Sequence, residues 1–113
     1  MEDTKYISVS ELTDILKMTI EKVFNRVCLR GEISGYRPSS SGHCYFTLKD
    51  ENSLIKCIMF KSSTTTLKFM PKDGTKVIVY GTVSVFERDG VYQIYCKSMK
   101  EDGTGSLFEE YEK

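Results

Sequence analysis

The stretch "RGEISGYRPSSSGHCYFTLKDENSLIKCIMF", residues 30–60, decides the fold because its apolar residues alternate, stop, and alternate again. Alternation with a period of two predicts a strand with one buried face. We therefore predict strands over 43–49 and 54–61, joined by an Asp-Glu-Asn turn. The residues predicted to point inward are Cys44, Phe46 and Leu48 in the first segment and Ile55, Cys57 and Met59 in the second.

The same alternation extends to both sides of this stretch and predicts three more strands. They cover residues 26–35, 76–86 and 91–99. Gly31 and Gly81 lie inside two of them, where a glycine indicates a bend or the close approach of another backbone. The Asp-Gly pair within "ERDG" is typical of a tight hairpin turn between the last two strands.

Five strands, two of them with central glycines, are the pattern expected of a small, strongly curved barrel. We predict an all-β, five-stranded OB-fold barrel preceded by an α-helix. A β-sandwich would normally need about seven strands. An SH3-like barrel stays open as an alternative, although the Ser/Thr-rich break at 62–70 leaves the slot for a short helical turn that an OB-fold places between strands three and four.

Residues 8–24 predict the leading helix, because their apolar residues recur at helical spacing and form one stripe. Ser10 is the predicted N-cap, and Thr13 at N3 leaves only half of a capping box. Two interpretations of the stripe remain. The helix packs on its own domain, or it docks on a partner.

Composition excludes several classes of protein. The chain has 113 residues, 40% of them hydrophobic and 12% aromatic, which argues for one folded domain. Its N-terminus lacks the apolar segment of a secretory signal, and no apolar run is long enough to cross a membrane, so we expect a cytoplasmic protein. The four cysteines form no CxxC pair, so we expect them to be reduced and mostly buried, and we expect no metal site.

Charge is distributed unevenly along a chain whose formal net charge is zero. Residues 26–100 carry 12 Lys and Arg against six Asp and Glu, whereas the flanking segments are acidic. A basic middle is compatible with a polyanionic partner, but many ordinary proteins share it.

The sequence contains no recognisable catalytic motif. It lacks GxGxxG, GxxxxGK[ST], HExxH and GxSxG, and His43, its one histidine, has no sequence neighbour positioned as a nucleophile. We therefore expect this chain to be non-catalytic by itself.

A binding surface explains the polar face better. In an OB-fold, strands two and three and nearby loops form the ligand face, and single-stranded nucleic acid needs cations for its phosphates and rings for its bases. Tyr92 lies in the same region, but packing is its stronger interpretation. The predicted nucleic-acid-binding residues are Arg30, Tyr36, Arg37, His43, Tyr45, Lys49, Lys56, Phe60 and Arg88.

Three segments carry a resemblance to a known family. They are "ISVSELTDILK" (7–17), the 29–60 stretch that contains RGEIS and SSGHCYFTLKD, and "DGTKVIVYGTVSVFERDGVYQIYCKSM" (73–99). Together they closely resemble the N-terminal domain of the large subunit of bacterial exodeoxyribonuclease VII. The resemblance implies an OB-fold that grips single-stranded DNA.

The resemblance also implies a parent enzyme that hydrolyses single-stranded DNA from both ends to oligonucleotides, with small subunits as partners. It implies three parts in this chain: a helical extension (1–25), the OB-fold domain (26–100), and the start of a linker or helix (101–113) toward a catalytic domain that is not present here. No cofactor is expected in this chain, and any divalent metal would belong to that catalytic domain.

Two alternative functions remain open at this level. An OB-type subunit-interaction or assembly domain would use its helix and the apolar part of its sheet, with self-association as one form. An RNA-binding OB module would share the fold and prefer RNA through its 2′-hydroxyl groups.

Overall fold

The computed structural model describes residues 5–86 and 88–103. The predicted start of a linker or helix at 101–113 lies outside these residues from 104 onward. The elements in chain order are α1 (Val9–Val23), β1 (Val27–Pro38), β2 (Cys44–Lys49), β3 (Leu54–Met59), α2 (Lys61–Thr64), β4 (Lys76–Val85) and β5 (Tyr92–Glu101).

The five strands close into one barrel in the order β1-β2-β3-β5-β4. All neighbouring pairs are antiparallel except β3 and β5, which are parallel. The predicted five-stranded OB-fold barrel with a leading helix is confirmed. The parallel pair brings β5 beside β3, although α2 and β4 separate them along the chain.

Strand β1 bends because it serves two neighbours. Its first half pairs with β4 and its second half pairs with β2, and Glu32 belongs to both registers. Gly31 precedes this residue, and a Cβ there would lie 2.8 Å from Leu48 Cγ and 2.9 Å from the Lys49 carbonyl oxygen. The predicted close approach at this glycine is confirmed.

The barrel interior is apolar and follows the predicted alternation. Cys44, Phe46 and Leu48 of β2 are buried, as are Cys57 and Met59 of β3. β1, β4 and β5 complete this core with the following buried residues: Ile33, Val77, Val79, Ile94, Cys96 and Met99.

The predicted N-cap of α1 is wrong by two residues. Ser8 caps the helix: its Oγ accepts a hydrogen bond from the Glu11 backbone N–H (2.9 Å), and the Glu11 side chain accepts one from the Ser8 N–H (3.1 Å). This complete capping box was available in the sequence as Ser-x-x-Glu, and it outcompetes Ser10 because it satisfies two orphan donors.

Helix α1 is anchored to the barrel by its C-terminal end. The Phe24 carbonyl accepts a hydrogen bond from the Val83 N–H (3.0 Å), and the fully buried Ser84 Oγ donates to Glu21 Oε2 (2.6 Å). No residue of α1 is buried, and its predicted apolar stripe is about half open to solvent, with Leu12 47%, Ile15 51% and Val23 64% exposed.

Candidate nucleic-acid interface

A groove with a volume of about 610 Å³ crosses the outer face of the barrel. Its lining residues come from β1, β2, β3 and β5, together with Phe60 after β3 and Phe86 after β4. The lining residues are Gly35, Arg37, Tyr45, Phe46, Thr47, Lys56, Cys57, Ile58, Phe60, Phe86, Gln93 and Tyr95. We refer to this depression as the groove.

Strand register aligns the groove residues in rows. In one row, Thr47 of β2 pairs with Lys56 of β3, which pairs in turn with Gln93 of β5. In the next row, Tyr45 pairs with Ile58, and Ile58 pairs with Tyr95. Paired residues point to the same face of a sheet, so a cation, an amide and two tyrosines share one surface.

Three rings at the end of β3 form a connected cluster. The Phe60 and Tyr95 ring centroids are 5.4 Å apart with their planes at 68°, and the His43 and Phe60 centroids are also 5.4 Å apart, at 89°. These edge-to-face contacts hold the rings in fixed orientations. Phe60 remains 40% exposed, so part of its surface is open to a ligand.

His43 has a structural role in this cluster. Its Nδ1 accepts a hydrogen bond from the backbone N–H of Lys61 (2.8 Å). Lys61 is the first residue of α2. Thr64 Oγ1 donates to the Gly42 carbonyl oxygen (3.2 Å) at the same contact. The loop after β1 is therefore tied to α2, and His43 orients Phe60 in addition to any direct ligand contact.

Two cations border the rings. The Arg37 guanidinium carbon lies 5.8 Å from the centroid of the Tyr45 ring, within cation–π distance. Lys56 is exposed on the groove floor, and within residues 5–86 and 88–103 it has no ion-pair partner. A free ammonium beside aromatic rings is the combination that a phosphate-linked chain of bases requires.

Arg30 and Lys49 lie outside the groove. Arg30 Nε contacts Asp102 Oδ2 at 2.9 Å, and the Asp102 side chain is only 2% exposed. Lys49 Nζ lies 4.0 Å from Glu32 Oε2. Both cations therefore face a carboxylate. Both of them line two depressions that are separate from the groove, and Tyr92 lines one of these two.

Tyr36 points toward the core. Its hydroxyl lies 3.0 Å from Cys44 Sγ, and its ring centroid is 6.4 Å from that of Phe46. Burial and the neighbouring Cys44 thiol raise the pKa of Tyr36 to about 12. Arg88 is exposed in the turn between β4 and β5 and does not line the groove.

The groove unites Arg37, Tyr45, Lys56 and Phe60 of the predicted residues, and His43 contacts it through Phe60. Tyr95, Phe86 and Gln93 also line the groove and were not predicted from the sequence. The alternation around Ile94, which is buried, indicates that Gln93 and Tyr95 face outward, but only the parallel β3–β5 pair brings them to the ligand face.

Residues 7–100 match the family model described as "OB-fold nucleic acid binding domain". The match covers β1 to β4 and all of β5 except Glu101. The chain belongs to this family.

The relatives of this OB-fold domain share one name. The chain is 49% identical over 111 residues to the "Exodeoxyribonuclease 7 large subunit" of Clostridium kluyveri, a match that covers 96% of this chain and 28% of that protein. It is 50% identical over 109 residues to the protein of the same name from Brevibacillus brevis, covering 95% and 24%. The resemblance found in the sequence is confirmed, and the chain spans about a quarter of the length of these relatives.

Solved structures share the fold at low sequence identity. A Replication Protein A heterotrimer bound to ssDNA matches with a TM-score of 0.58 at 13% identity, over 78% of this chain and 67% of that one. Asparaginyl-tRNA synthetase from Pyrococcus horikoshii matches with a TM-score of 0.56 at 16% identity, over 72% and 20%.

The described residues contain neither a cluster of side chains suited to a metal ion nor a helix with the length and apolarity to span a membrane.

Proposed function

We propose that this OB-fold domain binds single-stranded DNA in the groove and presents it to the nuclease region of an exodeoxyribonuclease VII large subunit. The observation that carries the proposal is the union of Tyr45, Phe60 and Tyr95 with Lys56 and Arg37 on one face. Bases stack on rings and phosphates pair with cations, and neither interaction requires a particular sequence.

The groove favours single strands over duplexes. Its rings lie in a depression on the curved barrel face, where an unpaired base can reach them. A base inside a duplex is already stacked on its neighbours, and unpairing it would cost a few kcal/mol. Duplex DNA of the same length should therefore compete poorly with an oligothymidylate.

Fluorescence anisotropy with a labelled oligothymidylate at low salt tests the proposal. We expect saturable binding that weakens as salt rises, with an unlabelled duplex competing at least tenfold less well. The absence of binding at low salt would contradict DNA recognition by this domain. Equal competition by duplex would show that charge alone drives association.

The parent activity is part of the same proposal. The name of the relatives, an exodeoxyribonuclease large subunit, supports a nuclease activity of the complete protein. We propose that the complete protein hydrolyses single-stranded DNA from both ends to oligonucleotides, with small subunits as partners and in the cytoplasm. This domain would contribute DNA binding, while the catalytic residues and any divalent metal would lie in other parts of the protein. We expect a full-length large subunit with a groove that no longer binds DNA to lose nuclease activity although it assembles normally.

A second candidate function is assembly, and the exposed stripe of α1 favours it. The stripe includes Leu12, Ile15 and Leu16, all about half exposed although they are large and apolar. Exposed contiguous apolar surface commonly marks a protein contact. Sedimentation of the unaltered chain and of a variant with both Leu12→Glu and Ile15→Glu separates the two functions. Assembly predicts a concentration-dependent oligomer of the unaltered chain that the variant does not form. DNA binding in the groove predicts that the variant binds oligothymidylate with unchanged affinity.

A further inference from the structure

Gln93 carries a buried side-chain amide that has no hydrogen-bond partner in the part of the chain that the structure describes. The residue is only 5% exposed, and it lies on β5 between Lys56 of β3 and Ser84 of β4. Across residues 5–86 and 88–103, no group is placed to form a hydrogen bond with its amide nitrogen or oxygen. Buried polar groups are nearly always paired in folded proteins, so this amide requires an explanation.

The neighbouring buried polar residue shows the contrast. Ser84 is fully buried, but its Oγ donates to Glu21 Oε2 at 2.6 Å, so its hydrogen-bonding capacity is used by the protein. Gln93 belongs to the same row of the sheet and lines the groove, which Ser84 does not. The unpaired amide is therefore located where a ligand can reach it.

The chemistry of the amide selects the ligand. A glutamine side chain presents a donor and an acceptor side by side. A phosphate offers acceptors alone and would leave the amide oxygen buried and unpaired, whereas a base edge offers a donor next to an acceptor. Tyr95 and Phe86 supply rings beside the amide, and Lys56 supplies the cation for the adjoining phosphate.

We propose that Gln93 pairs with the edge of one nucleobase held in the groove, which makes it a residue that reads bases as well as backbone. This inference rests on the proposed function, because it requires single-stranded nucleic acid in the groove. Each natural base has an adjacent donor and acceptor, so the contact detects a base edge as such. The amide can rotate to match either order of the two groups.

A double-mutant cycle between protein and DNA tests the pairing. The probes are an oligothymidylate of about eight nucleotides, within the range of an OB-fold site, and the same oligomer with 2,4-difluorotoluene in place of every thymine. Difluorotoluene keeps the shape of thymine and its stacking surface but lacks the N3–H donor and the carbonyl acceptors. The protein is the 113-residue chain with Gln93 or with Gln93→Met, which has a similar volume and no amide.

We expect the chain with Gln93 to bind the thymine oligomer about five- to tenfold more tightly than the difluorotoluene oligomer because of this contact, and Gln93→Met to lose that part of the difference. Equal discrimination by both proteins would overturn the inference and leave DNA binding intact. If the chain with Gln93 does not bind oligothymidylate at all, the proposed function fails and the inference fails with it. Ser98→Ala, on the same strand outside the groove, is the matched control and should behave like the unaltered chain.

Thermal unfolding of Gln93→Met gives an independent readout. Replacing an unpaired buried amide by an apolar group of similar size should leave the melting temperature unchanged or raise it. A marked fall in melting temperature would show that the amide has a structural partner, which overturns the inference even before any DNA is added.

Discussion

The Phe60 and Tyr95 rings meet edge to face, with centroids 5.4 Å apart and planes at 68°. Phe60 follows β3 and Tyr95 lies in the middle of β5, so the contact crosses the one parallel pair of the barrel. Both rings line the groove, and His43 contacts Phe60 from the other side. Because each ring limits the motion of its neighbour, the stacking surface is formed before a ligand arrives.

Removing the Phe60 ring should weaken DNA binding by about 5- to 150-fold, because stacking on one base contributes roughly 1–3 kcal/mol. The change is Phe60→Ala, and anisotropy with labelled oligothymidylate measures it. Phe60→Tyr keeps the ring and should retain binding within about threefold. Phe24→Ala removes an exposed ring at the end of α1, outside the groove, and should change nothing. Equal losses for Phe60→Ala and Phe24→Ala would show that the groove is misassigned.

Removing the Lys56 charge should reduce the salt dependence of DNA binding. One phosphate contact contributes about 0.7 to the slope of log affinity against log salt for single strands, because it displaces a bound counterion. Lys56→Met should therefore lower the absolute slope by about 0.7. Lys97→Met removes a strand lysine outside the groove and should leave the slope unchanged. An unchanged slope for Lys56→Met would exclude a phosphate contact there.

The sequence predicts the elements of the barrel more completely than its site. Alternation along β2 and β3 predicted the buried faces correctly, because burial of one face imposes a period of two. The predicted bounds of β1 and β5 were short, since the closed barrel pairs residues as far as Pro38 and Glu101. Pairing of this kind depends on the neighbouring strand and leaves no local signal.

In the candidate site, too, the residues in alternating strands were predicted and those positioned by non-local pairing were not. Tyr45 and Lys56 were predicted because each belongs to an alternating strand on the ligand face. Tyr95 and Gln93 were missed because their position depends on the non-local β3–β5 pair. Arg30 was predicted as a DNA contact from its strand position, but its side chain pairs with the carboxylate of Asp102, just after β5. Neither the pairing of β3 with β5 nor the ion pair between Arg30 and Asp102 can be predicted from local sequence.

Only Cys28 should react with iodoacetamide in the native chain near pH 8. Cys44, Cys57 and Cys96 are buried, and burial raises the pKa of Cys57 and of Cys96 to about 12, so little thiolate forms. Mass spectrometry should detect one adduct in the native chain and four in denaturant. Rapid addition of three or four adducts without denaturant would contradict the closed barrel.

The thiols of Cys57 and Cys96 should make the barrel less stable at alkaline pH. In the unfolded chain they lose their protons above about pH 9, whereas in the folded chain Cys57 and Cys96 keep them until about pH 12. The folded pKa is the higher one, so their contribution is complete below pH 9 and is lost as pH rises toward 12. The free energy of unfolding in urea should fall by roughly 1 kcal/mol per pH unit for each thiol above pH 9. Cys57→Ala should flatten that fall relative to the unaltered chain, and a parallel fall would contradict the assignment.

Gly81 should be intolerant of any side chain. β4 shifts register against β5 between Tyr80 and Gly81, and a Cβ at Gly81 would collide with the Tyr95 carbonyl oxygen. The colliding atom belongs to the backbone of a paired strand, so it cannot rotate away as a side chain could. Gly81→Ala should therefore lower the free energy of unfolding by at least about 2 kcal/mol.

Gly103→Ala is the matched control for this substitution, because a Cβ there meets no atom within 4 Å and the backbone is not left-handed. It should change stability by less than about 0.5 kcal/mol. Urea unfolding monitored by circular dichroism measures both variants. Since Tyr95 carries the groove ring opposite Phe60, Gly81→Ala should also weaken oligothymidylate binding where the chain remains folded. A Gly81→Ala variant as stable as Gly103→Ala would mean that β4 and β5 do not approach each other as closely as the barrel requires.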